Sequence, residues 1–194
     1  MKILGVSGSL RRDSYNVRLL EAAAELLPEG ATFERFGGLK AVPPYDEDDD
    51  VEPAPEPVAR LRETLAAADG VLFATPEYNS SIPGVLKNAI DWASRPLMTN
   101  PVRFKPVAVA GASTGAFGAV WAQEELRKVL GALGARVIEG VVPVGRAPTR
   151  FDESGRLVDE EIRGDLGDLV RNLVAAVEER RDGASAEAAV LPAG

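Results

Sequence analysis

The chain of 194 residues contains no cysteine and no histidine. The first absence excludes a disulfide scaffold, a thiolate nucleophile, a CxxC redox pair and any cysteine-ligated metal. The second removes imidazole as general base, triad member or zinc ligand. No stretch of 18 apolar residues occurs, so no membrane-spanning helix is expected. Positive charge is also scarce: 22 Lys and Arg stand against 30 Asp and Glu, a net charge of −8, which argues against a nucleic-acid partner. The apolar start, Met1 to Val6, is too short for a signal peptide, and no hydrophobic region follows Arg11-Arg12, so a cytoplasmic location is expected. Chemistry here falls to carboxylates, hydroxyls, backbone dipoles or a borrowed cofactor.

What is present is the material of a folded core. Hydrophobic residues make up 45% and charged ones 27%, which excludes wholesale disorder, and the length favours one domain. Short apolar runs alternate with stretches of helical period, the pattern of a parallel α/β sheet. Strands are expected at 2–7, 32–36, 70–75, 106–111 and 136–144. Helices are expected at 16–27, 56–68, 84–94, 118–134 and, after an exposed stretch, 166–177. Without a second dinucleotide-binding half, the strand order 2-1-3-4-5 with helices on both faces is the natural arrangement. Residues 1–181 form the expected domain, and the Ala-rich stretch 182–194 a flexible tail. The Pro-rich segment from Gly37 to Pro57 carries six acids in the seven residues Asp46 to Glu52, a run that reads as a solvated loop.

In an open parallel sheet, ligands bind beyond the carboxyl ends of the strands near the point where the order reverses. Three polar, Gly-containing loops fall at such ends and, in this order, share one rim. The first, Ser7 to Asn16, leads into a helix N-terminus, where unpaired N–H groups and the dipole favour an anion. Ser9, Ser14 and Asn16 offer further polar groups and Arg11 a full charge. It is neither a Walker A loop nor a GxGxxG fingerprint. The second, Pro76-Glu77-Tyr78-Asn79, offers an aromatic surface and stiffened backbone. The third, Gly111 to Gly115, matches GxSxG, but a nucleophile elbow needs a base that this chain lacks. Its small residues permit close backbone approach, with Ser113 and Thr114 hydroxyls at hand.

Three stretches resemble the NADPH-dependent FMN reductases and the related chromate, quinone and azo reductases. They are Gly8-Ser9-Leu10-Arg11-Arg12-Asp13-Ser14-Tyr15-Asn16, the unbroken PEYNSSIPGVLKNAIDW from Pro76 to Trp92, and Ser113 to Gly118, which leads into Ala122-Gln123. The likeness covers about residues 1–145. The family usually has a second glycine where Ala119 stands. The resemblance implies a flavodoxin-like three-layer sandwich with a five-stranded parallel sheet and noncovalent FMN. Ser9, Arg11, Ser14 and Asn16 would bind the phosphate. Pro76, Glu77, Tyr78 and Asn79 would border the flavin, mostly through backbone, and Ser113, Thr114, Gly115 and Gly118 would complete the ring pocket. It further implies a homodimer or homotetramer. NADPH, or NADH, would pass hydride to the flavin, and a small-molecule acceptor would take the electrons: a flavin, quinone, azo or nitro compound, or an oxidised metal ion. No catalytic side chain and no metal are expected, because the cofactor carries the chemistry.

The nearest rival is a flavodoxin-like FMN electron carrier serving a protein partner, which the acidic balance suits. A receiver domain needs an Asp at the end of the third strand, where Thr75 stands. A flavin-free binding domain would purify colourless.

Overall fold

The computed structural model describes residues 1–190. β1 (Lys2–Ser7) leads to α1 (Tyr15–Glu25), which is capped by Ser14, whose hydroxyl accepts the Asn16 N–H at 3.2 Å. β2 (Thr32–Phe36) and α2 (Glu56–Ala67), with Pro57 in its first turn, flank the acidic segment. β3 (Gly70–Thr75) and α3 (Gly84–Ala93) follow, then β4 (Pro106–Ala112) and α4 (Val120–Ala132). Two short strands, β5 (Arg136–Val137) and β6 (Pro143–Val144), precede the long α5 (Glu160–Val190).

The strands pair in parallel in the order β2-β1-β3-β4-β5, as expected. Side-chain alternation along β1, β3 and β4 divides the core between two faces. Leu4, Val6, Val71, Phe73, Val107 and Val109 meet Leu61 of α2, Leu86 of α3 and Leu126 of α4. Ile3, Leu72, Ala74, Ala108 and Ala110 meet Leu19 and Leu20 of α1 and Leu166 and Leu173 of α5. Every residue of β3 and β4 is buried, as the central position of a doubly wound sheet requires.

The structure differs from the sequence expectation at the sheet edge and in the last third of the chain. The fifth strand is not continuous over 136–144. The chain leaves the ladder after Ile138, turns at Gly140 (φ +117°), and returns beside β4 as β6. The carboxamide of Gln123 fills the gap: its oxygen accepts the Val142 N–H at 3.3 Å and its Nε2 donates to the Gly118 carbonyl at 2.9 Å. The stretch before α5 is not simply exposed, since Ala147, Phe151 and Leu157 are buried against the α1–α5 face. α5 itself starts six residues earlier than expected, at Glu160 rather than 166, and continues to Val190. Of the expected tail, residues 191–194 lie outside the described residues. α4 ends as its glycines suggest: Gly134 (φ +81°) and Ala135 donate to the Gly131 and Leu130 carbonyls in a Schellman arrangement.

Candidate functional site

The loops after β1, β3 and β4 meet in one cleft at the carboxyl end of the sheet. Its volume is about 120 Å³, and it is lined by Ser9, Arg11, Ser14, Tyr15 and Asn16, by Pro76, Glu77 and Tyr78, and by Ala112, Ser113 and Thr114. Nine of the twelve residues singled out in the sequence therefore share one wall or another of this cleft. Asn79, Gly115 and Gly118 do not line it. Tyr15 and Ala112, which sequence reasoning passed over, do. A second, wholly apolar cavity of about 10 Å³ lies in the core between Leu65, Phe73 and Leu130 and is too small and too dry for a polar ligand.

The first loop is organised by serines. Ser7 Oγ accepts the Ser9 N–H at 3.2 Å, and Ser9 Oγ accepts the Arg11 N–H at 3.3 Å. The Gly8 N–H donates to the Ala74 carbonyl at 2.8 Å, which ties this loop to β3. The Arg11 side chain is exposed and makes no ion pair among the described residues. A guanidinium without an ion pair and a helix N-terminus each favour an anion at this end of the cleft, whose lining also holds the Glu77 carboxylate.

Asn16 is occupied otherwise than a free ligand would be. Its Nδ2 donates to the Ala112 carbonyl and its Oδ1 accepts the Ala112 N–H, both at 2.9 Å and both buried. This bidentate bond fastens the start of α1 to the end of β4 across 96 positions of sequence. One amide N–H remains for anything in the cleft.

The second loop is a tight reversal. Tyr78 and Ser81 exchange two backbone hydrogen bonds at 3.0 and 3.1 Å, and Asn79 and Ser80 between them have φ +53° and +60°. These are the angles of a type I′ turn, in which Asn is favoured at the first central position. Asn79 shapes the turn that presents Tyr78. The Glu77 carboxylate leaves its own loop and accepts the Trp121 and Ala122 N–H groups at 3.1 and 3.2 Å.

The third loop is braced from behind by the segment after β6. The Arg146 N–H donates to the Gly115 carbonyl at 2.8 Å, and the Ala147 N–H to that of Ser113 at 3.0 Å. Ser113 Oγ accepts the Gly115 N–H at 3.1 Å. Gly118 (φ +61°) packs directly on β6: a Cβ there would stand 2.3 Å from the carbonyl carbon of Pro143. Its work is to bring the loop against the sheet edge, which explains its place behind the cleft.

The acidic segment lies against α3. Pro43 O accepts from Trp92 Nε1 at 2.9 Å and Asn88 Nδ2 at 2.8 Å, while Asn88 Oδ1 accepts the Tyr45 N–H at 2.7 Å. Asp50 pairs with Arg62 at 2.8 Å and Arg95 at 3.5 Å. Among the described residues, no group of three or more Asp or Glu is placed to hold a metal ion.

A parallel sheet in the order β2-β1-β3-β4-β5, with helices on both faces and three loops meeting where the order reverses, is the flavodoxin-like arrangement. The family model for NADPH-dependent FMN reductase matches residues 1–149. An NAD(P)H-dependent FMN reductase of Pseudomonas aeruginosa is 46% identical over 164 residues, 84% of this chain and 88% of that protein. A 2-hydroxy-1,4-benzoquinone reductase of Burkholderia is 40% identical over 182 residues, 93% and 98% of the two chains. Among solved structures, the flavoenzyme NAD(P)H:acceptor oxidoreductase FerB from Paracoccus denitrificans superposes with a TM-score of 0.80 at 34% identity, covering 92% of this chain and 97% of its own. The chain belongs to the NADPH-dependent FMN reductase family. It is accordingly an oxidoreductase of flavodoxin-like fold whose family works with FMN and NAD(P)H.

Proposed function

We propose that this protein holds FMN in the three-loop cleft and reduces a small-molecule acceptor, a quinone foremost, at the expense of NADPH or NADH. The observation that carries the reading is the convergence of a free guanidinium, a helix N-terminus and two backbone-rich loops on one cleft. The phosphate is assigned to the α1 end, where Arg11, the Ser9 and Ser14 hydroxyls and the remaining Asn16 N–H can each donate. A charge-assisted hydrogen bond contributes about 1.5–3 kcal/mol, so three or four suit a dianion. The ring system is assigned to the space between the two other loops. Pro76, Glu77 and Tyr78 border it through backbone and Ser113 and Thr114 face it, while Asn79 and Gly115 continue those two loops beyond the cleft wall and Gly118 supports the third loop from behind. FMN, when bound, supplies hydride acceptance from the nicotinamide and delivery of two electrons to the acceptor. The chain's residues bind and orient, and none is asked to move a proton.

A quinone acceptor is favoured because the Burkholderia relative and a quinone reductase of Pseudomonas putida, each 40% identical, bear that activity in their names. Free flavin, azo or nitro compounds and oxidised metal ions are the other acceptors. Residues 1–181 are taken as one reductase domain. No helix among the described residues is long and apolar enough to cross a membrane, and a cytoplasmic location fits that. Phe117 and Trp121, which are 65% and 47% exposed beside the cleft, favour a homodimer or homotetramer that covers them.

The test is a visible spectrum of the purified protein, with FMN added if needed, before and after NADPH under anaerobic conditions. Flavin bands that bleach are expected. Bands that persist would favour the electron carrier that the acidic charge suits, and a protein that takes up no FMN would refute the assignment of the cleft.

A further inference from the structure

We infer that Glu77 is a positioning residue: its carboxylate latches the loop after β3 onto the start of α4 and so sets the distance between two walls of the cleft. The inference rests on the flavin reading above and goes beyond it, because it gives the side chain a task other than touching the cofactor.

The first amides of α4 account for themselves one by one. A helix start leaves its first N–H groups without intrahelical acceptors, and a side-chain oxygen at the N-cap normally takes one or two. Here the N-cap is Ala119, in the left-handed region at φ +59° and without a side-chain acceptor, preceded by Gly118 at φ +61°. The Val120 N–H reaches the Phe117 carbonyl at 3.3 Å and the Gln123 N–H reaches that of Ala119 at 3.0 Å. The Trp121 and Ala122 N–H groups have Glu77 Oε2 instead, at 3.1 and 3.2 Å. Gln123 does not compete for this role, since its carboxamide is turned to Gly118 and Val142. An anion at a helix N-terminus is further favoured by the macrodipole.

The latch joins stiff parts. Glu77 stands between Pro76 and the two-residue reversal at Asn79-Ser80, so it and the Tyr78 backbone belong to one short, hydrogen-bonded segment. On the other side, the first turn of α4 continues directly from the loop that carries Ser113 and Thr114. The remaining walls have their own ties: Gly8 to Ala74 between the first loop and the strand that leads into the second, and Asn16 to Ala112 between the first and third. Glu77 closes the set.

Three variants separate reach from charge. Glu77→Gln keeps an acceptor oxygen at the same reach and loses the charge. Glu77→Asp keeps the charge and is one methylene too short. Glu77→Ala removes both. FMN affinity is read by fluorescence titration, and the exchange of the Trp121 and Ala122 amides by hydrogen–deuterium exchange on the apoprotein. Loss of FMN affinity by about 10-fold or more is expected in the Ala and Asp variants, with faster exchange at both amides. The Gln variant should restore both readouts to within about 3-fold of wild type. Wild-type affinity in Glu77→Ala would overturn the proposal. So would a Gln variant that binds as weakly as Ala while its amides stay protected, because that would make Glu77 a direct electrostatic partner of the flavin. Should Glu77→Ala fail to fold, the Gln and Asp pair carries the same comparison. Wild-type protein that binds no FMN would sink the flavin reading itself, and the latch would then stand or fall on amide exchange alone.

Discussion

Gly115 and Gly118 are three residues apart in one signature, and the structure gives them opposite sensitivities. At Gly118 a methyl group would meet the Pro143 carbonyl carbon at 2.3 Å and the Val144 nitrogen at 2.6 Å, in a backbone conformation that L-residues rarely adopt. Gly118→Ala should therefore cost about 2 kcal/mol or more in a urea denaturation series, whether or not flavin is present. At Gly115 an added Cβ meets Ser113 Oγ alone, at 3.4 Å, and otherwise faces open space. Gly115→Val should fold with nearly wild-type stability and still lose flavin if the bound ring extends past Thr114 to this position. Full flavin content in that variant would place the ring elsewhere. Ala119, with φ +59°, shows why a glycine suits its position: alanine holds the same turn at a strain of about 1 kcal/mol.

At the scale of elements, the end of α2 depends on a residue outside it. Lys105, buried just before β4, donates from Nζ to the carbonyls of Leu65 and Ala66, two of the acceptors a helix C-terminus leaves over. Burial pushes its pKa down from 10.5 to about 8, Arg180 nearby adds to the fall, and Asp69 opposes it. Between pH 8 and 10.5 the unfolded chain keeps a proton that the folded chain has released, so this group makes stability rise with pH over that window. Below pH 8 both states are charged and the contribution is flat. Lys105→Met lacks this titration, so the difference between wild-type and variant urea midpoints should shift in favour of wild type as pH rises from 8 to 10.5. A difference that stays constant through the window would contradict it.

For the whole molecule, the cleft joins loops from three strands, so a ligand that bridges them stabilises the fold as a unit. FMN at 100 times its dissociation constant should add about 2.7 kcal/mol and raise the thermal midpoint accordingly. Riboflavin, which lacks the phosphate, should raise it less if Arg11 and the start of α1 bind that group; equal shifts would remove the phosphate from this end. At this scale the division between sequence and structure is clear. Short apolar runs located β1 to β4 within a residue and helical period located the bodies of α1 to α4 and a central part of α5, because both patterns are local consequences of which faces meet the core. The strand order then placed three polar loops on one rim, and a resemblance carried by GSLRRDSYN and PEYN pointed to flavin. Tertiary structure decided which partners the polar groups of Asn16 and Glu77 take on that rim. The broken fifth strand follows from Gln123 of α4 taking the Val142 N–H and donating to Gly118. α5 begins ahead of Gly164, whose poor helix propensity separates its first residues from the apolar run at 166–177. The Asn16 bond to Ala112 and the Glu77 bond to α4 span 96 and 44 or 45 positions. No local pattern encodes a hydrogen bond between segments so far apart, since its partners meet only after the sheet has set their distance.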